Sequence, residues 1–209
     1  MRRPICYVVG AGEDFGLDFV PQDGDMVIAA DAGYRQLQAA GIKPQVVIGD
    51  FDSLGAAPAG EEIITLPKIK DITDTWAAIH LGMKKGYRRF FLYSCTGGRF
   101  EHTLANLQTL ADLAQQGMEG RLFDKTQVIT AISGGTIQFG PERKGFVSVF
   151  SYTNECTGVT IQGLKYPLEN ARLTSRFPLG VSNEFLGIPS SVTIGAGTAL
   201  LVYDRKKKA

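Results

Sequence analysis

The hydrophobic periodicity of the sequence changes near residue 125, and this change constrains the fold more than any other feature. Before that point, short apolar runs typical of buried strands alternate with stretches whose apolar residues recur every three or four positions, as they do in helices. The apolar runs lie at residues 5–9, 26–30, 46–48, 63–66 and 90–93. Buried strands that alternate with helices predict a parallel sheet covered on both faces.

Two helices are predicted from the spacing of apolar residues. The first has an apolar stripe that consists of Trp76, Ile79, His80 and Met83. We interpret His80 as a core or edge residue of this helix rather than as a ligand. The second helix is expected at residues 103–116, and Gly117 is its expected C-terminal cap.

After residue 125 the helical spacing disappears and short β-rich runs take its place. These runs lie at residues 128–132, 136–139, 146–152, 159–161, 191–194 and 199–203. Glycines separate many of them, a pattern typical of an antiparallel sandwich. The sequence therefore predicts a mixed α/β chain, with a Rossmann-like parallel-sheet domain at residues 1–125 and an antiparallel β-sandwich domain at residues 126–209.

Composition argues against several other classes of protein. The chain has 209 residues and a formal net charge of +1, so nothing indicates a nucleic-acid partner. No apolar run approaches the roughly 18 residues that a membrane helix needs. The basic segment 205–208 is expected to be a solvated terminus. Three widely spaced cysteines indicate a reducing compartment and no zinc site, which predicts a cytoplasmic protein.

Polar or glycine-rich loops follow four of the predicted strands, at residues 10–13, 31–33, 49–53 and 94–99. Because ligands bind outside the carboxyl ends of the strands in an open parallel sheet, we expect these loops to meet at one edge. The glycines at 10, 12 and 16 lack the G-x-G-x-x-G spacing. We therefore interpret the first loop as a nucleotide-contacting turn and not as a dinucleotide motif.

Acidic residues are concentrated at this expected edge. Asp50 and Asp52 are two positions apart, so their carboxylates point the same way in an extended segment, and Asp31 follows a neighbouring strand. Asp71 is the expected N-cap of the first helix, and Asp74 is expected three positions into it. Carboxylates held together need a cation, and Mg²⁺ prefers oxygen ligands. An Asp-x-Asp pair is also common in plain turns, so the pair alone leaves both interpretations open.

A second candidate segment begins with the paired glycines Gly97 and Gly98. Such glycines let backbone N–H groups approach a phosphate, and Arg99 could bind its oxygens. The helix that follows places His102 and Asn106 on one face, one turn apart. The alternative is a Gly-Gly turn followed by an exposed arginine.

Taken together, these segments resemble the thiamine pyrophosphokinase family. In chain order the matching segments are Ala30-Asp31-Ala32-Gly33, Gly49-Asp50-Phe51-Asp52-Ser53, Lys70-Asp71-Ile72-Thr73-Asp74, Gly97-Gly98-Arg99-Phe100-Glu101-His102 with Asn106, and Gly180-Val181-Ser182-Asn183-Glu184. Glu101 stands where the family usually has aspartate, so whatever that acid contacts must sit slightly differently.

The resemblance implies an enzyme that converts ATP and thiamine into AMP and thiamine diphosphate. It also implies a homodimer with its active sites between the subunits, and Mg²⁺ as the cofactor. The implied catalytic residues are Asp50, Asp52, Asp74 and Arg99, of which the three aspartates hold the metal. The implied ATP-binding residues are Asp31, Lys70, Thr73, Gly97, Gly98, Arg99, His102 and Asn106. The implied thiamine-binding residues are Ser182, Asn183 and Glu101.

Several alternatives stay open at this point. By sequence alone, Ser182 and Asn183 also fit a plain turn at a strand edge. The resemblance also implies an aromatic side chain that stacks on the thiamine rings, and Phe185, Tyr203 and Phe177 are all candidates for it. A pyrophosphokinase of the same fold could act on another alcohol, such as a hydroxymethylpterin. A non-catalytic nucleotide-binding module is the alternative from another class, and the intact set of acids argues against it.

Overall fold

The computed structural model describes residues 2–50, 62–67 and 71–205, which form a mixed α/β fold with a large sheet. This confirms the predicted class. The chain divides into two units: the first unit comprises Met1–Thr109 and Leu122–Asp124, and the second comprises Leu110–Arg121 and Lys125–Ala209. The domain boundary at residue 125 stays a prediction.

Five parallel strands form the sheet of the first unit. They are β1 (Cys6–Val9), β2 (Met26–Ala30), β3 (Val46–Gly49), β4 (Glu62–Thr65) and β5 (Arg89–Tyr93). Their order in the sheet is β5-β1-β2-β3-β4, and every pairing is parallel. The first three strands are buried along their whole length, as expected of strands covered on both faces.

Helices α1 (Gly33–Ala39), α2 (Asp74–Lys84) and α3 (Phe100–Gln115) accompany these strands. On α2 the buried residues include Ile79 and Gly82. A Cβ atom at Gly82 would lie 2.7 Å from Cε1 of the Phe90 ring, so this glycine lets α2 pack closely on the sheet. A hydrophobic cluster of the first unit contains Tyr7, whose ring stacks on that of Phe19 with the centroids 4.1 Å apart.

The sequence predictions for the first unit need three corrections. We expected residues 63–66 to form a buried strand, but β4 is largely exposed because it is the edge strand of this unit. Helix α1 was missed because it has seven residues and no side-chain cap, too short for a periodic signal. Helix α3 begins at Phe100 rather than at residue 103.

The second unit contains antiparallel pairs only, among the strands that the structure describes there. Its strands are β7 (Gln127–Phe139), β8 (Phe146–Ser151), β9 (Glu155–Gln162), β10 (Leu168–Thr174), β11 (Gly180–Glu184) and β12 (Ser190–Asp204). Strand β6 (Glu119–Phe123) has residues in both units. The sequence patterns predicted neither β6, β10 nor β11 as strands.

Two pairs of predicted strands are in fact single, bent strands. Residues 128–132 and 136–139 belong to β7, and residues 191–194 and 199–203 belong to β12. The register between these two strands shifts between Ile194 and Thr198, opposite the positive-φ glycines Gly134 and Gly135. The glycines therefore bend the strands instead of ending them. As a result, β12 pairs with β9 mainly before the bend and with β8 after it.

In the part of the chain that the structure describes, no helix combines the length and the apolar character that crossing a membrane requires.

Candidate active site

A cavity of about 1190 Å³ opens at the carboxyl ends of the parallel strands in the first unit. Each of the four loops that follow strands β1, β2, β3 and β5 contributes residues to its wall, together with the N-terminal ends of α2 and α3. The prediction that these loops meet at one edge of the sheet is therefore confirmed. This is the location expected for ligands in an open parallel sheet.

Most of the predicted catalytic and ATP-binding residues line this cavity. They are Asp31, Asp50, Thr73, Asp74, Gly97, Gly98, Arg99, His102 and Asn106. Asp52 and Lys70 lie outside the described residues. Glu101 is not among the lining residues, and Ser182 and Asn183 belong to the second unit. The individual roles of all these residues stay predictions.

The ends of β2 and β3 bring two of the acids into neighbouring positions. The backbone N–H of Asp31 donates to the Ile48 carbonyl at 2.8 Å, and Asp31 has a φ of +51°. A Cβ atom at Gly49 would lie 3.1 Å from the Asp31 Cα, so the two backbones pass unusually close. Asp50 follows this glycine directly. The close approach therefore places Asp31 and Asp50 at adjacent strand ends.

The N-terminus of α2 differs from the prediction. Thr73, not Asp71, is the N-cap: its backbone is extended, and its Oγ1 accepts a hydrogen bond from the Trp76 N–H at 3.1 Å. Asp74 is the first residue of the helix rather than the third. The Asp71 carboxylate is therefore not used by the cap, and the Asp74 carboxylate lies at the end of the helix that favours negative charge.

The loop after β1 and the loop after β5 are joined by backbone hydrogen bonds. Gly10 N–H donates to the Tyr93 carbonyl at 2.9 Å, Gly12 N–H to Ser94 at 2.7 Å, and Glu13 N–H to Thr96 at 2.9 Å. A Cβ atom at Gly12 would lie 2.4 Å from the Thr96 carbonyl oxygen. Contact between the loops explains this glycine without a dinucleotide motif.

The segment with the paired glycines has the backbone that glycine favours. Gly97 and Gly98 have φ values of +77° and +60°. Arg99 is 73% exposed, and its Nε donates to Glu101 Oε1 at 2.7 Å. The pKa of Glu101 is lowered by a hydrogen bond from its own backbone N–H and by the Arg99 guanidinium. In this structure Glu101 thus pairs with the arginine that is predicted to bind phosphate.

Asn106 of helix α3 holds the loop that leads into Gly97 and Gly98. Its buried Nδ2 donates to the Cys95 carbonyl at 2.7 Å, which fixes the loop beside the cavity. Cys95 is itself buried, and burial raises the pKa of its thiol to about 12. The thiol therefore stays protonated at neutral pH, and it is not a nucleophile there.

In the second unit, the predicted thiamine residues lie on β11 and not in a plain turn. The buried side-chain amide of Asn183 bonds the backbone of Tyr166 in both directions: Oδ1 accepts from its N–H at 2.9 Å, and Nδ2 donates to its carbonyl at 2.7 Å. Ser182 is exposed and has a φ of +58°. Of the candidate aromatics, Tyr203 is buried, whereas Phe177 is 65% exposed.

The donor chemistry of the cavity suits a magnesium ion. Among residues 2–50, 62–67 and 71–205, no three or more His, Cys, Asp or Glu side chains are grouped closely enough to hold a metal by themselves. Mg²⁺, however, usually takes only one or two carboxylates, and phosphates and waters supply its other ligands. The acids at positions 31, 50 and 74 all line the cavity, and any one or two of them would meet that requirement.

The parallel sheet and the acidic, glycine-rich cavity beyond its strand ends define an α/β protein with a ligand site at its carboxyl edge. The family model described as the thiamin pyrophosphokinase catalytic domain matches residues 20–122, and the one described as the vitamin B1 binding domain of thiamin pyrophosphokinase matches residues 136–200. The chain belongs to the thiamin pyrophosphokinase family, and it is an enzyme.

Individual relatives agree with this assignment. A thiamine pyrophosphokinase of Bacillus subtilis is 29% identical over 185 residues, which are 84% of this chain and 85% of the relative. A crystal structure of thiamine pyrophosphokinase from Bacillus subtilis has a TM-score of 0.84 at 26% identity and covers 97% of this chain and 100% of its own. Thiamin pyrophosphokinase from Candida albicans shares the fold, with a TM-score of 0.79 at 13% identity, over 98% of this chain and 89% of its own.

Proposed function

We propose that this enzyme transfers the pyrophosphoryl group of ATP to the hydroxyl of thiamine and so forms thiamine diphosphate and AMP. The observation that carries the proposal is the cavity in the first unit. Its wall combines three separated carboxylates, at positions 31, 50 and 74, with the Gly97-Gly98-Arg99 segment. Membership of the thiamin pyrophosphokinase family supports ATP and thiamine as the substrates.

In the proposed reaction the hydroxyl oxygen of thiamine attacks the β-phosphorus of ATP. The bond between the β-phosphorus and the oxygen that bridges to the α-phosphorus breaks, AMP leaves with that oxygen, and the hydroxyl proton passes to solvent. Such a transfer depends on positioning and on charge stabilisation rather than on a protein nucleophile. The Arg99 guanidinium and the N–H groups of residues 97–98 are suited to bind the phosphate oxygens.

We propose Asp50, Asp52 and Asp74 as the residues that hold Mg²⁺, which would supply positive charge against the phosphates. Binding of ATP is assigned to Asp31, Lys70, Thr73, Gly97, Gly98, Arg99, His102 and Asn106. For Asn106 the hydrogen bond to the Cys95 carbonyl supports an indirect role, because that bond fixes the loop that carries Gly97 and Gly98. Ser182, Asn183 and Glu101 are assigned to thiamine, and the KM for thiamine is the quantity that substitutions there should change.

We further propose that residues 1–125 form the ATP-binding α/β domain, and that residues 126–209 form a β-sandwich domain that binds thiamine and joins two chains. The match of residues 136–200 to a vitamin B1 binding domain supports this division. The buried, unbridged thiols at Cys6, Cys95 and Cys156 suit the cytoplasm, which cell fractionation would test.

The proposed homodimer has its active sites at the subunit interface. Large apolar side chains are exposed on the paired strands β8 and β11, where Phe146 is 52% and Val181 is 44% exposed, and Leu179 beside them is 51% exposed. Exposed apolar surface of this kind is typical of an interface. Light scattering at micromolar concentration is expected to give twice the mass of one chain. A mass equal to one chain at that concentration would contradict the dimer.

The products of the reaction test the proposed function directly. Incubation of the protein with ATP, Mg²⁺ and thiamine is expected to release AMP and thiamine diphosphate in equal amounts. Thiamine monophosphate, whose hydroxyl is blocked, is the matched control and is expected to give no AMP above background. Release of ADP would show single phosphoryl transfer and would contradict the proposal. Turnover with a pterin alcohol but not with thiamine would select the alternative acceptor.

A further inference from the structure

A glutamine that does not itself line the cavity joins two of the loops that do. Gln36 lies on the short helix α1, and its Nε2 donates to the Gly12 carbonyl at 3.0 Å. Its Oε1 accepts a hydrogen bond from the Ser94 hydroxyl. Gly12 and Ser94 belong to different loops, and both line the cavity. The two ends of one side-chain amide therefore hold the two loops together.

We infer that Gln36 is a positioning residue that fixes the loops of residues 10–13 and 94–98 in the arrangement that receives the phosphates of the nucleotide. This inference rests on the proposed function, since that function supplies the nucleotide. Gln36 acts through Gly12 and Ser94, because the cavity wall includes both of these residues but not Gln36.

The backbone of the second loop shows why such a support is needed. Ser94 has a φ of +52°, a conformation that non-glycine residues rarely adopt. Gly97 and Gly98 also have positive φ values, so this loop contains three such residues within five positions. Residues in sparsely populated backbone conformations persist when surrounding contacts hold them. The bond from the Ser94 hydroxyl to Gln36 is one of those contacts.

The position of α1 is equally constrained. A Cβ atom at Gly33 would lie 2.0 Å from the Val9 carbonyl oxygen, so the first turn of the helix rests directly on the end of β1. Gln36 follows one turn later, which places its amide within reach of both loops. Helix α1, which the sequence pattern does not reveal, thus positions Gln36 between the two loops.

Glutamine has the chemistry that this position requires. The amide offers a donor to the Gly12 carbonyl and an acceptor to the Ser94 hydroxyl at the same time. Glutamate would place a second acceptor against the Gly12 carbonyl and add negative charge near a site for phosphates. Methionine has a similar length and helix propensity but neither hydrogen-bonding group, so Gln36→Met removes both bonds with little change in shape.

Binding of α,β-methylene-ATP, which cannot be cleaved at the bond that the proposed reaction breaks, measures the effect without turnover. Gln36→Met is expected to raise the Kd of this analogue, measured by calorimetry, by about tenfold, since two hydrogen bonds are lost. The KM for ATP is expected to rise by a similar factor while the KM for thiamine stays unchanged. The matched control is Gln38→Met on the same helix: Gln38 is exposed, and its side-chain amide donates to the Tyr34 hydroxyl at 3.3 Å. It is expected to bind the analogue as wild type does.

A second variant keeps the test decisive if Gln36→Met fails to fold. Ser94→Gly removes the partner hydroxyl and suits the positive φ, and it is also expected to weaken binding of the analogue. Unchanged binding in both folded variants would overturn the inference, as would a lower melting temperature without weaker binding, because that result indicates a purely structural role. Failure of the wild-type protein to bind the analogue would instead overturn the proposed function, and the inference with it.

Discussion

Replacement of Asp50 by asparagine is expected to reduce the rate of AMP formation by about 1000-fold. Asparagine keeps the shape of the side chain but removes its charge, and Asp50 lies at the end of β3 on the wall of the acidic cavity. The proposed site for a triphosphate and its cation needs that negative charge. The measurement is AMP release under saturating ATP and thiamine, together with the melting temperature, which is expected to stay near that of the wild type.

Asp14→Asn is the matched control for this experiment. Asp14 is exposed and lies outside the cavity wall, and its Oδ1 accepts from the Gly16 N–H at 2.8 Å. The amide oxygen of asparagine can keep that bond, so activity is expected to stay within about twofold. The equivalent change at Asp52, outside the described residues, is also expected to abolish turnover. Activity near the wild-type level in Asp50→Asn would show that the assignment of this carboxylate is wrong.

The second large effect concerns stability. Gly33→Ala is expected to lower the free energy of unfolding by about 3 kcal/mol, because the added Cβ would lie 2.0 Å from the Val9 carbonyl oxygen and neither backbone can move freely. For a chain of this size, that loss corresponds to a melting temperature lower by roughly 6–12 °C. Thermal unfolding followed by circular dichroism provides the measurement.

Gly86→Ala separates this clash from the general effect of replacing a glycine. Gly86 has a φ of +90°, and a Cβ atom there would meet nothing within 4 Å. Only the cost of the left-handed backbone remains, roughly 1 kcal/mol. If the two variants were equally stable, close packing of α1 on β1 would not explain the glycine at position 33.

The buried strands of the first unit were predictable because such parallel strands are nearly continuous apolar runs, and the middles of α2 and α3 were predictable because their apolar residues recur every three or four positions. Residues 26–30 form such a run, and β2 has these same bounds. The start of α3 was misplaced because Phe100 is 69% exposed and gives no apolar periodicity. The buried residues of a helix reveal its middle, whereas its first turn depends on loop geometry.

The lining of the cavity was largely predictable, but its supports were not. Polar residues after apolar runs indicate a ligand edge, and this rule found Asp31, Asp50 and the Gly97-Gly98-Arg99 segment. Gln36 was missed because it lies on a helix too short to detect, and its partners are 24 and 58 positions away in sequence. No local pattern encodes a contact of that kind.

The backbone bonds between the loop of residues 10–13 and the loop after β5 limit which substitutions this enzyme can accept without a change in its cavity. Gly10, Gly12 and Glu13 pair with the second loop through main-chain atoms, and the side-chain amide of Gln36 adds one further connection, so the path of the chain together with this glutamine sets this part of the cavity. The side chain at position 11, which takes no part in these bonds, can therefore be exchanged without breaking them. An engineered change of phosphate acceptor should leave these loops untouched and begin elsewhere in the chain.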